Sequence, residues 1–203
     1  MLRVAILADT HGSLDPRVAE LVRGCDIAVH GGDIGGAHVL AQLEPRGGRV
    51  YAVRGNNDIA RKWPEDEREL LARLPNQVIV QLPGGSLVVV HGHRTAASGR
   101  HARLRRQHPQ ARAIVYGHSH RLVADRELTP WVLNPGAAGR ARTYGGPSCM
   151  ILDAGETQWE MQTRRFEPVG RHRADRTRKE RAGRGAGQTA AVRRITADQA
   201  AKT

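Results

Sequence analysis

The chain has few cysteines, few aromatic residues and no long apolar segment. Its 203 residues include two cysteines, Cys25 and Cys149, too few for a disulfide framework or a cysteine-rich zinc site. They are predicted to be free thiols in a reducing cytoplasm. Aromatic residues make up 3% of the chain, which argues against a binding surface of stacked rings. Apolar runs such as Leu87–Val90 are far shorter than the roughly 20 residues of a membrane span, so no membrane partner is expected.

Lysine is also scarce, although the chain is strongly basic. Of its 32 basic residues 29 are arginine, and they outnumber 20 acidic residues to give a formal charge of +12. Such an excess first suggests nucleic acid, because neutralising phosphate charge favours binding. An arginine-rich, glycine-rich and alanine-rich composition can equally reflect coding bias. Composition alone leaves both interpretations open.

The excess charge is distributed unevenly along the chain. Residues 167–203 contain ten basic and four acidic residues, no aromatic residue and few apolar ones, a composition typical of disorder. We therefore predict a folded domain over residues 1–166, followed by a basic, disordered tail over residues 167–203. Nucleic-acid binding through that tail is kept as an alternative function.

The first part of the domain alternates strand-like and helix-like segments, which is the pattern of parallel βαβ units. The predicted strands are Arg3–Ala8, Asp26–His30 and Arg49–Val53, and the predicted helices are Leu14–Arg23 and Val39–Leu43.

The second part of the domain is richer in strands. A hairpin is predicted from Gln77–Leu82 and Ser86–Val90, and a basic helix from Ser98–Gln107. Further strands are predicted at Ala113–Tyr116, Leu122–Asp125, Pro130–Leu133, Cys149–Asp153 and Gln158–Phe166. Two sheets packed face to face, with helices outside, would accommodate both patterns.

Five short polar motifs stand where predicted strands end. They are Asp9-Thr10-His11, Gly32-Asp33, Gly55-Asn56-Asn57-Asp58, His91-Gly92-His93 and Gly117-His118-Ser119-His120. Carboxyl ends of parallel strands are where α/β proteins gather ligands. A single histidine is more often a packed or hydrogen-bonded residue than a ligand, but five such motifs in one chain favour a metal site. Carboxylate, imidazole and amide donors suit Mn, Fe, Zn, Co or Ni.

The spacing within the motifs adds detail. Residues i and i+2 of an extended segment project to the same side, so Asp9 and His11 can bind the same ion. His118 and His120 have the same spacing and can reach two adjacent ions.

The ordered motifs resemble those of the calcineurin-like metallophosphoesterase family. The small size and Asn134-Pro135-Gly136 after the histidine pair are similar to its small prokaryotic YfcE-type phosphodiesterase branch. The resemblance covers residues 1–166. It implies an α/β fold, a four-layer αββα sandwich of two mixed β-sheets flanked by helices. Asn134-Pro135-Gly136 itself is interpreted as a turn that supports the site.

The resemblance also implies two divalent metal ions per chain, with manganese favoured and zinc, iron or nickel as alternatives. One group of implied ligands is Asp9, His11 and His120, and the other is Asn56, His91 and His118, with Asp33 bridging the two ions. The implied reaction is hydrolysis of a phosphate ester, preferably a diester, by in-line attack of a metal-bound hydroxide. Asp33, Asn56, Asp58 and His91 are the expected catalytic residues, Asp58 by orienting a neighbouring imidazole or amide.

One position departs from the larger family members, which carry a histidine after the metal-binding asparagine to protonate the leaving group. This chain has Asn57 there, so water, His93 or another side chain must supply the proton. His93 and His30 are interpreted as supporting residues. Arg54, Arg140 and Arg142 are candidates to contact substrate phosphate, with a solvated surface position as the favoured interpretation of each.

Two further expectations concern partners. The substrate is expected to be a phosphate ester, with nucleotide-like compounds among the candidates, and a homo-oligomer is an alternative to a monomer.

A eukaryotic retromer subunit of the same branch serves as a protein-binding scaffold, so a non-catalytic scaffold is the alternative function on this fold. All seven implied ligand positions are filled here, which favours the enzyme.

Overall fold

The computed structural model describes residues 1–168, and every structural statement below concerns that part of the chain. Its strands, in chain order, are β1 (Leu2–Leu7), β2 (Ile27–His30), β3 (Arg49–Ala52), β4 (Gln77–Leu82), β5 (Gly85–Val90), β6 (Ala113–Val115), β7 (Leu122–Asp125), β8 (Trp131–Pro135), β9 (Ser148–Ala154) and β10 (Trp159–Arg165). Its α-helices are α1 (Pro16–Arg23), α2 (Ala37–Ala41), α3 (Arg68–Arg73) and α4 (Arg100–Gln107).

The strands form two five-stranded sheets of mixed direction. The first has the order β10-β9-β1-β2-β3, in which β1, β2 and β3 are parallel and β9 and β10 are antiparallel. The second has the order β4-β5-β6-β8-β7, in which β5, β6 and β8 are parallel and the outer strands β4 and β7 are antiparallel. Each sheet thus contains three parallel strands.

Alternating side chains on the strands account for the layers. On β1, Ala5 and Leu7 face the core shared with α1, α2 and α3, whereas Val4 and Ile6 face the core between the sheets. On the second sheet, Val88 and Ile114 pack with Leu104 of α4 in a third core. The order of layers is therefore helix, sheet, sheet, helix, which confirms the predicted four-layer αββα sandwich.

Some local expectations need correction. The sequence does not predict helix α3 or the 3₁₀ turn at Glu65–Glu67 before it. The helix is short and buries only Leu70 and Leu71, so its apolar pattern is weak. The predicted turn at Asn134-Pro135-Gly136 is also wrong in part. Asn134 and Pro135 pair with Val123 and Leu122 as the last residues of β8, so the turn begins only at Gly136.

The remaining expectations about the ends of the chain fall partly outside this structure. The basic segment of residues 167–203 lies almost wholly beyond the described residues. Within residues 1–168 no helix is long and apolar enough to cross a bilayer. Cys25 and Cys149 are both buried free thiols.

Candidate metal centre

The carboxyl ends of the parallel strands of both sheets meet at one place. Asp9 and His11 follow β1, Asp33 follows β2, and Asn56 follows β3. His91 directly follows β5, while His118 and His120 follow β6. Backbone bonds tie these segments together, with Asp9 N–H donating to Gly32 O at 3.0 Å and Gly117 N–H donating to His91 O at 3.1 Å.

One group of side chains gathers around Asp9. The possible ligand atoms of Asp9, His11, Asp33 and His120 all lie within 4.8 Å of one another. The Nε2 atoms of His11 and His120 are 3.1 Å apart, and His120 Nε2 lies 3.6 Å from Asp9 Oδ1. We call these four residues the first cluster.

A second group gathers around Asn56. Its Oδ1 lies 3.0 Å from His91 Nε2 and 2.9 Å from His118 Nδ1. Asp33 faces this second cluster as well, because its Oδ1 is 3.4 Å from His91 Nε2 while its Oδ2 is 3.7 Å from His11 Nε2. Asp33 therefore presents one carboxylate oxygen to each cluster.

Backbone carbonyls orient two of the imidazoles. His91 Nδ1 is 2.8 Å from Gly31 O, and His120 Nδ1 is 3.2 Å from Ala141 O. A carbonyl can only accept, so each Nδ1 carries a proton and each Nε2 faces the centre. This arrangement is typical of histidines that hold metals.

Most of these side chains stand on an unusual backbone. Five of the seven candidate ligands have a left-handed conformation, namely Asp9 (φ 54°), His11 (φ 48°), Asp33 (φ 55°), His118 (φ 68°) and His120 (φ 58°). Aspartate, asparagine and histidine are enriched in this region, but strained residues of this kind cluster at functional sites.

The carboxylates have opposite electrostatic environments. Burial raises the pKa of Asp9 to about 7, and its Oδ2 has no hydrogen-bond partner among the described residues. Burial also acts to raise the pKa of Asp33, but bonds with His91 and Asn57 outweigh it and hold that pKa well below its usual range. Burial lowers the pKa values of His11, His118 and His120, the last to about 4.

These features fit bound cations. Neutral imidazole nitrogens that face each other at hydrogen-bond distance, together with an unpartnered buried carboxylate oxygen, form a concentration of lone pairs that a cation would satisfy. The second cluster, around Asn56, shares Asp33 with this one. The donors of both are oxygen and nitrogen, as manganese, iron, zinc and nickel accept.

Comparison with known proteins decides the family. The model of the calcineurin-like phosphoesterase superfamily domain matches residues 2–157, which is most of the chain. The chain belongs to the calcineurin-like phosphoesterases. This confirms the resemblance inferred from the motifs.

Individual relatives agree with this assignment. The chain is 23% identical to phosphodiesterase MJ0936 of Methanocaldococcus jannaschii over 78% of its own length and 96% of that protein. The structure of YfcE, a phosphoesterase from E. coli, has 25% identity, a TM-score of 0.54 and coverage of 75% of this chain and 88% of that one. Vacuolar protein sorting 29 from Cryptosporidium parvum shares the fold, with 21% identity, a TM-score of 0.62 and coverage of 81% and 97%. The small prokaryotic branch is confirmed by the first two.

In this phosphoesterase Asp58 lies behind the clusters. Its carboxylate accepts from the backbone N–H groups of Ile34 at 2.9 Å, Gly35 at 3.1 Å and Gly55 at 2.8 Å, and from Trp63 Nε1 at 3.2 Å. The sequence assigned Asp58 to catalysis through a neighbouring imidazole or amide. The groups it contacts are backbone amides and an indole and include no imidazole, and these bonds hold together the segments that carry Asp33 and Asn56.

Asn57 makes a contact that the sequence did not reveal. Its side-chain amide donates to Asp33 Oδ2 at 2.7 Å, and its backbone N–H donates to Asp33 Oδ1 at 2.7 Å. Lys62 donates to Asn57 Oδ1 and thereby orients the amide. Gly55 is required beside them, because a Cβ there would lie 2.2 Å from Asp33 Oδ1.

Three other residues support the phosphoesterase centre. His30 is fully buried and bonds Thr10 Oγ1 through Nε2, and its Nδ1 accepts from Gly32 N–H, so it is structural. His93 lies beside the second cluster, with ring centroids 5.4 Å from His91 and 6.3 Å from His118. Asn134 donates to Gly117 O at 2.8 Å and to Ser119 Oγ at 3.0 Å, which holds the segment between the paired histidines.

Proposed function

We propose that this protein is a dinuclear, divalent-metal-dependent phosphoesterase that prefers phosphodiesters. The observation that carries the proposal is the position of Asp33, whose two oxygens face two separate groups of metal-ligating side chains. Membership of the phosphoesterase superfamily supports the hydrolase, and a relative named as a phosphodiesterase supports the diester preference.

The proposed ligands divide between the two clusters. Asp9, His11 and His120 would hold one ion, Asn56, His91 and His118 would hold the other, and Asp33 would contact both. Manganese is the favoured metal, with zinc, iron or nickel as alternatives. Two divalent cations so held supply a lowered pKa for water and offset the negative charge of a phosphoryl transition state.

Residues of the chain orient the proposed ligands, but none is placed to protonate the leaving group. Gly31 O fixes the ring of His91, Ala141 O fixes that of His120, and Asn57 fixes the carboxylate of Asp33. The Asn57 amide is thus committed to Asp33 and is not a proton donor. Burial lowers the pKa of His93 and thus favours its neutral imidazole, which is a poor proton donor. We infer that solvent protonates the leaving group and that esters with acidic leaving groups react fastest.

The test is metal-depleted protein reloaded separately with Mn²⁺, Zn²⁺, Ni²⁺ or Fe²⁺. Each form is assayed on bis(p-nitrophenyl) phosphate, p-nitrophenyl phosphate and a panel of nucleotides, with metal content measured by mass spectrometry. We expect two ions per chain, activity restored by at least one metal, and faster turnover of the diester than of the monoester. One bound ion per chain in the most active form would contradict the dinuclear site.

The alternative functions are separate outcomes of the same assay. Two bound ions with no turnover on any ester would support the scaffold interpretation. Nucleic-acid binding by residues 167–203 stays a prediction, as do a homo-oligomer, a cytoplasmic location and the domain boundary at residue 166. Salt titration of DNA affinity in the full chain and in a form ending at Phe166 tests the first of these.

A further inference from the structure

Arg142 reaches the first cluster from the segment between β8 and β9. Its Nη2 lies 3.0 Å from His120 Nε2 and 3.4 Å from His11 Nε2. The sequence favoured a solvated surface position for this arginine. The side chain is indeed exposed, yet its guanidinium ends against two proposed metal ligands. Surface exposure and contact with the centre together place it at the entrance to the first cluster.

The start of this segment is fixed next to the residues that follow β1. Ala138 N–H donates to Ala8 O at 2.9 Å, and Ala138 O accepts from Asp15 N–H at 2.9 Å. Gly139 packs so closely that a Cβ would lie 2.3 Å from Thr10 O. Arg142 follows only three residues later, and Ala141 O holds His120. The backbone therefore keeps the guanidinium within reach of the centre.

The guanidinium has no acidic partner in the described part of the chain. Other arginines are paired there, such as Arg17 with Asp15 at 2.9 Å and Arg105 with Asp125 at 2.6 Å, whereas no described carboxylate lies within 4.0 Å of Arg142. A guanidinium remains charged at all relevant pH values and presents a planar fork of donors that matches phosphate oxygens. Its present acceptors are neutral ring nitrogens, which are weaker partners than an anion.

We propose that Arg142 binds the phosphoryl oxygens of the substrate. The inference rests on the proposed function. Its physical reason is that the guanidinium and a metal ion would compete for the same two histidine nitrogens. The Nε2 atoms of His11 and His120 cannot accept from a guanidinium and ligate a cation at the same time. In the metal-loaded protein Arg142 leaves these nitrogens, and the fixed segment keeps its charge at the entrance, where an anionic phosphate ester approaches.

The experiment compares Arg142→Gln, Arg142→Lys and Arg140→Gln with wild type. Arg140 is an exposed arginine two residues away and serves as the matched control. Binding of inorganic phosphate to each Mn²⁺-loaded protein is measured by calorimetry. We expect Arg142→Gln to weaken phosphate binding about tenfold, the scale of one charge-assisted hydrogen bond. Arg142→Lys should retain part of the affinity, and Arg140→Gln should stay within about twofold of wild type.

A second measurement follows Mn²⁺ itself without any phosphate present. Removing the competing guanidinium should tighten Mn²⁺ binding in Arg142→Gln and leave it unchanged in Arg140→Gln. Unchanged phosphate affinity in Arg142→Gln, or no phosphate binding by wild type, would overturn the assignment. Neither titration needs turnover. A protein that binds phosphate through Arg142 but hydrolyses no ester would contradict the proposed function alone.

Discussion

The two sheets bring different chemical groups to the centre. The segments after β1, β2 and β3 of the first sheet supply both carboxylates, Asp9 and Asp33, together with the amide of Asn56. The second sheet supplies only imidazoles, those of His91, His118 and His120. All the negative charge of the candidate ligand set therefore comes from one sheet and most of its neutral nitrogen donors from the other.

Neither proposed set of ligands is complete within one sheet. Each proposed set of ligands takes members from both sheets. The sheets already contact each other here through polar bonds, since His118 N–H donates to Asp9 Oδ1 at 3.1 Å and His91 donates to Gly31 O at 2.8 Å. Bound cations would add a second connection between the sheets beside their shared apolar core.

The largest expected effect comes from removing the charge that both clusters share. Asp33→Asn should lower turnover of bis(p-nitrophenyl) phosphate about 1000-fold, the scale of losing a principal electrostatic group. It should also lower the metal content per chain. The matched control is Asp66→Asn, an exposed carboxylate beyond the centre. Turnover like that of wild type in Asp33→Asn would remove Asp33 from the mechanism.

The next effect concerns stability within the first sheet alone. Asp58→Ala would leave the buried donors of Ile34, Gly35 and Trp63 without their acceptor. We expect the free energy of unfolding of the metal-free protein to fall by about 3 kcal/mol, measured by urea denaturation. Asp66→Ala is the control, and an equally small change in both variants would show that Asp58 does not hold these segments.

Metal binding should stabilise the protein because it connects the two sheets. At an Mn²⁺ concentration about 100 times the dissociation constant, linkage gives about 2.7 kcal/mol per site. For a domain of this size each kcal/mol raises Tm by roughly 2–4 °C. The Tm values measured by thermal unfolding with and without Mn²⁺ should therefore differ by several degrees. Asp33→Asn should show a smaller separation. Identical shifts in the two proteins would argue that Asp33 is no ligand.

Acidity should affect the contributions of Asp9, from the first sheet, and His120, from the second, in opposite directions in metal-free protein. The folded pKa of Asp9, raised to about 7, lies above its ordinary value of 3.8, so its contribution to stability is present below that value and lost as pH rises towards 7. The folded pKa of His120, lowered to about 4, lies below 6.5, so its contribution is present above 6.5 and lost as pH falls towards 4.

Urea denaturation between pH 4 and pH 8 tests this contrast. Asp9→Asn should remove the loss of stability on the alkaline side, and His120→Gln should remove the loss on the acidic side. Each group contributes at most about 1.4 kcal/mol per pH unit. Parallel curves for wild type and both variants would show that neither group titrates as described.

The smallest effect is expected at Asn57. Loss of its side-chain bond to Asp33 Oδ2 in Asn57→Ala should lower turnover about tenfold, as one charge-assisted bond would. Asn57→His would add a proton donor but remove the same bond. It should therefore raise the turnover of esters with poor leaving groups relative to that of esters with good ones. An equal change in turnover across a leaving-group series would count against that view.

The sequence predicted what local patterns encode. The predicted ranges match nine of the ten described strands within one residue at each end, and the tenth, β8, ends two residues later than predicted because Asn134 and Pro135 continue its ladder. The strand result depends on short-range periodicity, which a sequence states directly. The structure places His118 and His120 in different clusters, but both have a left-handed backbone and not the extended one on which the spacing argument relied.

Contacts between distant segments were not predictable in this way. Asn57 holds Asp33, Asp58 holds the backbone of another loop, and Arg142 reaches His11 across 131 positions of chain. The pairing of β2 with β3 in the first sheet creates the first two contacts, and the packing of the two sheets creates the third. Among many arginines, nothing local distinguishes Arg142 from Arg140.

The left-handed backbone of five candidate ligands affects how such a centre can change during evolution. At these positions an alanine would lose the ligand and also force the backbone into strain of about 1–2 kcal/mol. Glycine would lose only the ligand, and asparagine keeps much of the local preference. A lineage that abandons metal binding is therefore expected to pass first through glycine or asparagine at positions such as Asp9 and Asp33, keeping the fold while its chemistry disappears.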